Sequence, residues 1–118
     1  MIHTSSFFKY DNHKGTLFLV ANSMPKKMPY ECIKLKSFVP SWDLVKSFKD
    51  NKISWEEYTT HYLAYLNGLP DDSEDIQMLK NTEECTLLCW EPDSNNCHRS
   101  ILANWLEEKH SLIKGDVK

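Results

Sequence analysis

The chain has 118 residues, 41% hydrophobic and 26% charged, with 14 basic groups against 17 acidic ones and a formal net charge of −3. A chain of this length buries roughly two-thirds of the surface its unfolded form exposes, enough for one core without staples, so a single domain over 1–118 is expected. Apolar runs of only a few residues exclude a membrane span, and Met1 to Tyr10 lacks the charged, apolar and small-residue order of a signal peptide, so a cytoplasmic protein is expected.

In chain order, Ile2 to Phe8 and Leu17 to Ala21 are β-favouring runs. The turn formers Asp11-Asn12-His13-Lys14-Gly15 between them suit a hairpin-like connection. Pro25, Pro29 and scattered lysines make 24–39 an extended, partly irregular stretch. At Ser41 the period changes. Ser41 suits an N-cap, Asp43 suits the positive end of a helix, and Leu44, Val45 and Phe48 share a face, which predicts a helix over 42–50. Ser54-Trp55-Glu56-Glu57 reads as a capping box, and Trp55, Tyr58, Tyr62, Tyr65 and Leu66 recur at helical spacing up to the stop at Asn67-Gly68-Leu69-Pro70. That aromatic stripe reads as core packing rather than a ligand platform. Ser73-Glu74-Asp75 opens a short helix ending near Lys80. A strand over 86–90 follows, then a polar loop over 91–96, then a final helix over about 97–111. The non-alternating apolar run at 86–90 marks the buried strand. Strands and helices in this order predict an α/β fold, a small three-layer-like sheet with helices packed on it.

Charge is unevenly spread: residues 1–36 carry six lysines against Asp11 and Glu31, whereas the remainder carries eight basic and fifteen acidic groups. The Lys26, Lys27, Lys34 and Lys36 cluster reads as a solvated loop, since an acidic chain is a poor nucleic-acid binder. The four cysteines, Cys32, Cys85, Cys89 and Cys97, read as thiols in an intracellular context. Cys85 and Cys89 sit at the ends of about 13 Å of strand, too far apart to share one ion, so no four-ligand zinc site is expected. No cofactor is expected from the remaining residues.

Chemistry concentrates in Leu87-Leu88-Cys89-Trp90-Glu91-Pro92-Asp93-Ser94-Asn95-Asn96-Cys97-His98-Arg99, a strand, a loop and a helix start. The carboxyl end of a strand facing a helix N-terminus is where open α/β sheets bind ligands, and unpaired helix N–H groups favour an anion. His98 shares the face of Ile101, Leu102 and Trp105 and points inward, Arg99 lies at the edge of that stripe, Cys89 is at the floor and Glu91 on the rim. Arg99 is the single arginine beside thirteen lysines, and its planar fork suits a phosphate or carboxylate. An ion pair with Glu91 or Asp93 is the alternative. Cys97, at a helix head near a cation, is a candidate nucleophile and His98 a candidate general acid or base. Ser41, at the head of the 42–50 helix, joins Cys89, Glu91 and Arg99 as a candidate ligand-binding residue. Cys89 and Cys97 could also pair as a reversible disulfide if the loop folds back.

Pro40-Ser41-Trp42-Asp43-Leu44, Ile53-Ser54-Trp55-Glu56-Glu57-Tyr58, Leu87-Leu88-Cys89-Trp90-Glu91 and Cys97-His98-Arg99 with Leu102-Ala103 resemble the domain-of-unknown-function family 488 in its short YeaO-like branch, over about 2–110. The resemblance implies a compact α/β domain and marks Cys89, Glu91, Cys97, His98 and Arg99; it implies no reaction. The long form of that family opens with a Gly-His-Ser type strand end and an Asp-Val-Arg strand. Ser5, Ser6 and Lys9 stand here instead, which implies a different or reduced site.

Three functions are compatible with these residues. The first is binding or turnover of a small anionic ligand, nucleotide or phospho-type, at the 89–99 crevice. The second is a protein-interaction or inhibitor module whose sign-split surface docks a protein partner. The third is a thiol redox element using Cys89 and Cys97.

Overall fold

The apolar run that ends at Cys89 occupies the middle of the sheet. The computed structural model describes residues 1–27, 31–91 and 97–118. Strands β1 (Ile2–Ser6), β2 (Thr16–Leu19), β3 (Ile33–Lys34), β4 (Cys85–Cys89) and β5 (Lys114–Val117) form one sheet in the order β3-β2-β4-β1-β5. Every pairing is parallel, with β4 aligned Ser6 to Cys89 on one side and Leu19 to Leu88 on the other. Strands buried on both faces need no polar alternation, which is why Cys85-Thr86-Leu87-Leu88-Cys89 reads as a continuous run. The expected α/β sheet with helices packed on it is what the structure shows.

Helices α1 (Trp42–Lys49), α2 (Trp55–Asn67) and α3 (Glu74–Lys80) begin where their capping serines place them, and α4 (His98–His110) follows Cys97, which makes no side-chain cap. Ser41, Ser54 and Ser73 each accept from a backbone N–H in the following turn, from Leu44, Glu57 and Ile76. The Ser54 box is complete: Glu57 N–H donates to Ser54 Oγ at 3.1 Å and Ser54 N–H donates to Glu57 Oε1 at 3.3 Å. None of the described helices is long and apolar enough to cross a membrane.

All four helices pack into one cluster with Phe18, Val20, Cys85 and Leu87 of the sheet, burying Tyr62, Leu66, Ile76, Leu79, Leu102 and Leu106. Each such fully buried aliphatic side chain contributes about 1.5–3 kcal/mol. Leu17, Leu19, Ala21 and Leu88 form a second cluster with Phe7, Cys89 and Cys97, so the two cysteines are seated in apolar packing.

The hairpin expected between the first two strands is corrected. β1 and β2 are both parallel to β4, which lies between them. Parallel strands require a connection that returns along the sheet. Residues 7–15 do this, tied down by His13 Nε2 on the Ser6 carbonyl (2.9 Å) and by Lys14 N–H on Thr86 Oγ1 (2.8 Å). Two strands lie where sequence periodicity predicts none. β3 is two residues within the irregular stretch, and β5 is Lys-Gly-Asp-Val at the sheet edge. Polar groups hold β5: Asp116 N–H donates to His3 Nδ1 at 3.0 Å, Lys118 N–H to Thr4 Oγ1 at 3.2 Å, and Lys14 pairs with Asp116 at 2.9 Å.

Parallel order brings the carboxyl ends of β1, β2 and β4 to one edge, and α4 starts at that edge. The chemistry-bearing residues therefore meet there.

Candidate functional site

Cys89 is the last residue of β4 and Cys97 is the N-cap of α4, and the structure joins their sulfurs as a disulfide with Cα atoms 7.7 Å apart. Both are buried, as are His98 and Arg99. The polar loop over 92–96, with Asp93, lies outside the described residues.

His98 is fixed by its two ring nitrogens. Nε2 sits on the Val20 carbonyl, which can only accept, so Nε2 carries the proton and Nδ1 keeps its lone pair. Nδ1 lies 3.7 Å from Cys97 Sγ. Tyr62 meets the imidazole edge-on at 5.6 Å, and its hydroxyl donates to the Phe38 carbonyl at 2.5 Å. Burial pushes the His98 pKa down to about 4 and outweighs the opposing pull of the Val20 carbonyl and Glu91, so the ring is neutral near pH 7.

Arg99 has no solvent exposure. Its Nη1 donates to the Glu91 carbonyl at 2.7 Å and to Cys89 Sγ at 3.0 Å, while Nε and Nη2 donate to the Lys118 carbonyl at 3.1 and 2.9 Å. The guanidinium thus ties β4 and the chain after β5 to the first turn of α4. It reaches the main-chain carbonyl of Glu91, whereas the Glu91 carboxylate faces Lys49 of α1 at 3.6 Å.

Outside this cluster lies a pocket of about 440 Å³. Cys97 and His98 reach it from α4, Trp42, Val45, Phe48 and Lys49 from α1, Trp55 and Tyr58 from α2, and Trp90 and Glu91 from the end of β4. Trp55 and Tyr58 stack at 5.0 Å, Phe48 leans on Trp55 at 5.2 Å, and Trp90 is anchored by Nε1 donating to the Ser23 carbonyl at 2.9 Å. Trp42 is 57% exposed. An aromatic wall with few polar groups is the usual build of a small-molecule site.

Of the residues marked in the sequence, Cys89, Glu91, Cys97, His98 and Arg99 come together. Ser41 does not: its hydroxyl caps α1, and it borders a different, shallower depression beside His61 and Tyr65. Ser5 and Ser6 turn their hydroxyls onto nearby backbone, with Ser5 Oγ donating to the Ser6 carbonyl at 3.0 Å and Phe8 N–H donating to Ser6 Oγ at 3.3 Å. Sequence reasoning missed the aromatic wall and Lys49. Trp42 carried a usable signal, since it falls off the Leu44, Val45 and Phe48 stripe.

Fold and site together define a parallel α/β domain with a buried disulfide, imidazole and guanidinium under an aromatic pocket. The chain belongs to the DUF488 family: residues 4–110 match the model of DUF488-N3a, described as the active DUF488-N3 subclade. No curated protein and no solved structure matches the chain.

Proposed function

We propose that the protein binds a small ligand carrying a flat ring and an anionic group, of nucleotide or phospho type, in the pocket above Cys97 and His98. The observation that carries this reading is the wall of Trp42, Phe48, Trp55, Tyr58 and Trp90, with the Lys49 ammonium on its rim. Aromatic faces stack planar rings irrespective of sequence or substituent, each stack contributing about 1–3 kcal/mol. The anion's partner is Lys49 rather than Arg99, whose fork is committed to the Glu91 and Lys118 carbonyls. The Lys49–Glu91 pair is long and solvent-facing, so an incoming phosphate displaces Glu91 at little cost.

The test is a thermal-shift panel of nucleotides and phosphometabolites, in which saturation stabilises by about 2–4 kcal/mol. Trp42→Ala should abolish the response and Lys49→Ala should weaken it for charged ligands only. A panel without any hit, or a response unchanged in Trp42→Ala, rejects the reading.

The bond between Cys89 and Cys97 favours a second reading, a thiol redox element. Mass spectrometry after reduction and mild peroxide would show that pair re-forming ahead of other oxidation; both thiols left untouched would remove it.

A further inference from the structure

We propose that, once reduced, Cys89, Cys97 and His98 form a site for one thiophilic divalent ion of the zinc class, with its fourth position open to the pocket. The two sulfurs and one ring nitrogen lie within 4.8 Å of one another, and all three residues are buried. Two thiolates and an imidazole are soft and borderline donors, the set that selects zinc over magnesium or calcium. Three protein ligands with one open position is the build of a catalytic rather than a structural zinc site.

The backbone supports this coordination. Cα atoms 7.7 Å apart lie beyond the usual 4.4–6.8 Å of disulfide-linked pairs. Tetrahedral zinc with sulfur at about 2.3 Å holds its two sulfurs about 3.8 Å apart, so a wider Cα spacing suits thiolates bridged by an ion. Outer contacts are also in place. A ligating histidine commonly donates its second N–H to a backbone carbonyl, which is what His98 Nε2 does on Val20, leaving Nδ1 for the ion. Arg99 Nη1 donates to Cys89 Sγ, as groups around a thiolate ligand do. Cys97 and His98 line the pocket, so the remaining position meets whatever the pocket holds.

A phosphine reductant and water break the Cys89–Cys97 bond, giving two thiols and the phosphine oxide. The divalent ion then displaces both thiol protons into buffer, and two metal–sulfur bonds form with no further electron transfer. The site therefore exists only in the reduced protein. It involves no organic ligand, so it stands or falls independently of the proposed function.

The experiment is an anaerobic titration of the phosphine-reduced full chain with cobalt(II), an optical reporter for zinc. Expected are one equivalent per chain, a thiolate-to-cobalt charge-transfer band with tetrahedral visible bands, displacement by zinc, and no uptake by the oxidised chain. Cys97→Ser and Cys89→Ser should lose the charge-transfer band, His98→Gln should weaken affinity at least tenfold, and Cys32→Ser and Cys85→Ser should leave it unchanged. Absence of stoichiometric uptake by the reduced wild type overturns the proposal. So does a band that survives Cys97→Ser, or one that Cys85→Ser removes equally. Circular dichroism on each variant identifies any that fail to fold; for those, the wild-type stoichiometry and the Cys32 and Cys85 variants decide.

Discussion

Arg99 Nη1 donates a hydrogen bond to Cys89 Sγ at 3.0 Å across the start of α4. The contact links the lone arginine to the strand-end cysteine. The same guanidinium also donates to two backbone carbonyls, at Glu91 and Lys118. Arg99→Lys keeps the net charge, but a single ammonium on a flexible stem cannot span these acceptors. The substitution should cost about 2–4 kcal/mol in urea denaturation. A change under about 0.5 kcal/mol would show the bonds to be dispensable.

Why the arginine's place could be read but its task could not follows from the physics. Strand and helix patterns at 86–90 and 97–111 put residues 89 and 97–99 at one sheet edge, because apolar periodicity is local information. Besides Cys89 Sγ, Arg99 donates to the main-chain carbonyls of Glu91 and Lys118, and carbonyls carry no sequence signature. The Val20 carbonyl that fixes His98 is invisible for the same reason. β5 could not be read because its pairing depends on His3, Thr4 and Lys14, over a hundred residues away. The hairpin expectation failed because turn formers at 11–15 report a change of direction without saying which strand comes next to β1. The Ser54 capping box was fully legible, since both of its bonds span three residues.

Ser41 separates capping from ligand binding. Its Oγ accepts from Leu44 N–H at 3.2 Å and it is absent from the aromatic pocket. Ser41→Ala should cost about 1 kcal/mol of stability. Its ligand response in thermal shift should match wild type once the lower baseline is subtracted; loss of that response would move the anion site to the head of α1.

Gly15 controls the return of the chain from β1 to β2. Its φ is +65°, and a Cβ there would collide with the Glu84 carbonyl, which accepts from Thr16 N–H at 3.0 Å. Gly15→Ala should therefore destabilise by about 1–3 kcal/mol, through strain and loss of that ladder bond. Chemical denaturation measures it, and a neutral result would mean that the 7–15 connection can be re-routed without cost.

Tyr62 braces the site from beneath. Its hydroxyl donates to the Phe38 carbonyl in a fully buried position while its ring edge supports His98. Tyr62→Phe keeps the ring and leaves that carbonyl without its donor, a loss of about 1–3 kcal/mol. Cobalt uptake by the reduced protein should be unchanged in this variant, since the ring that contacts His98 remains; an altered cobalt spectrum would show that the hydroxyl, not the ring, sets the imidazole.

Cys85 supplies an alkaline limb to the stability profile. Burial pushes its thiol up to about 11 from 9.0, with Glu84 adding to the shift and the nearby N-terminal ammonium opposing it. The folded thiol keeps its proton at pH values where the unfolded one has lost it. Stability is thus fully present below about pH 9 and falls as pH rises from 9 toward 11, by on the order of 2 kcal/mol. Subtracting the profile of Cys85→Ala from that of wild type isolates this limb from the lysines and tyrosines that titrate over the same range. The same proton makes the thiol inert. At pH 8, a small alkylating reagent should modify half-buried Cys32 in the native protein and reach Cys85 only on unfolding. Equal labelling of the two in the native state would mean that the paired edge of β4 opens readily to solvent.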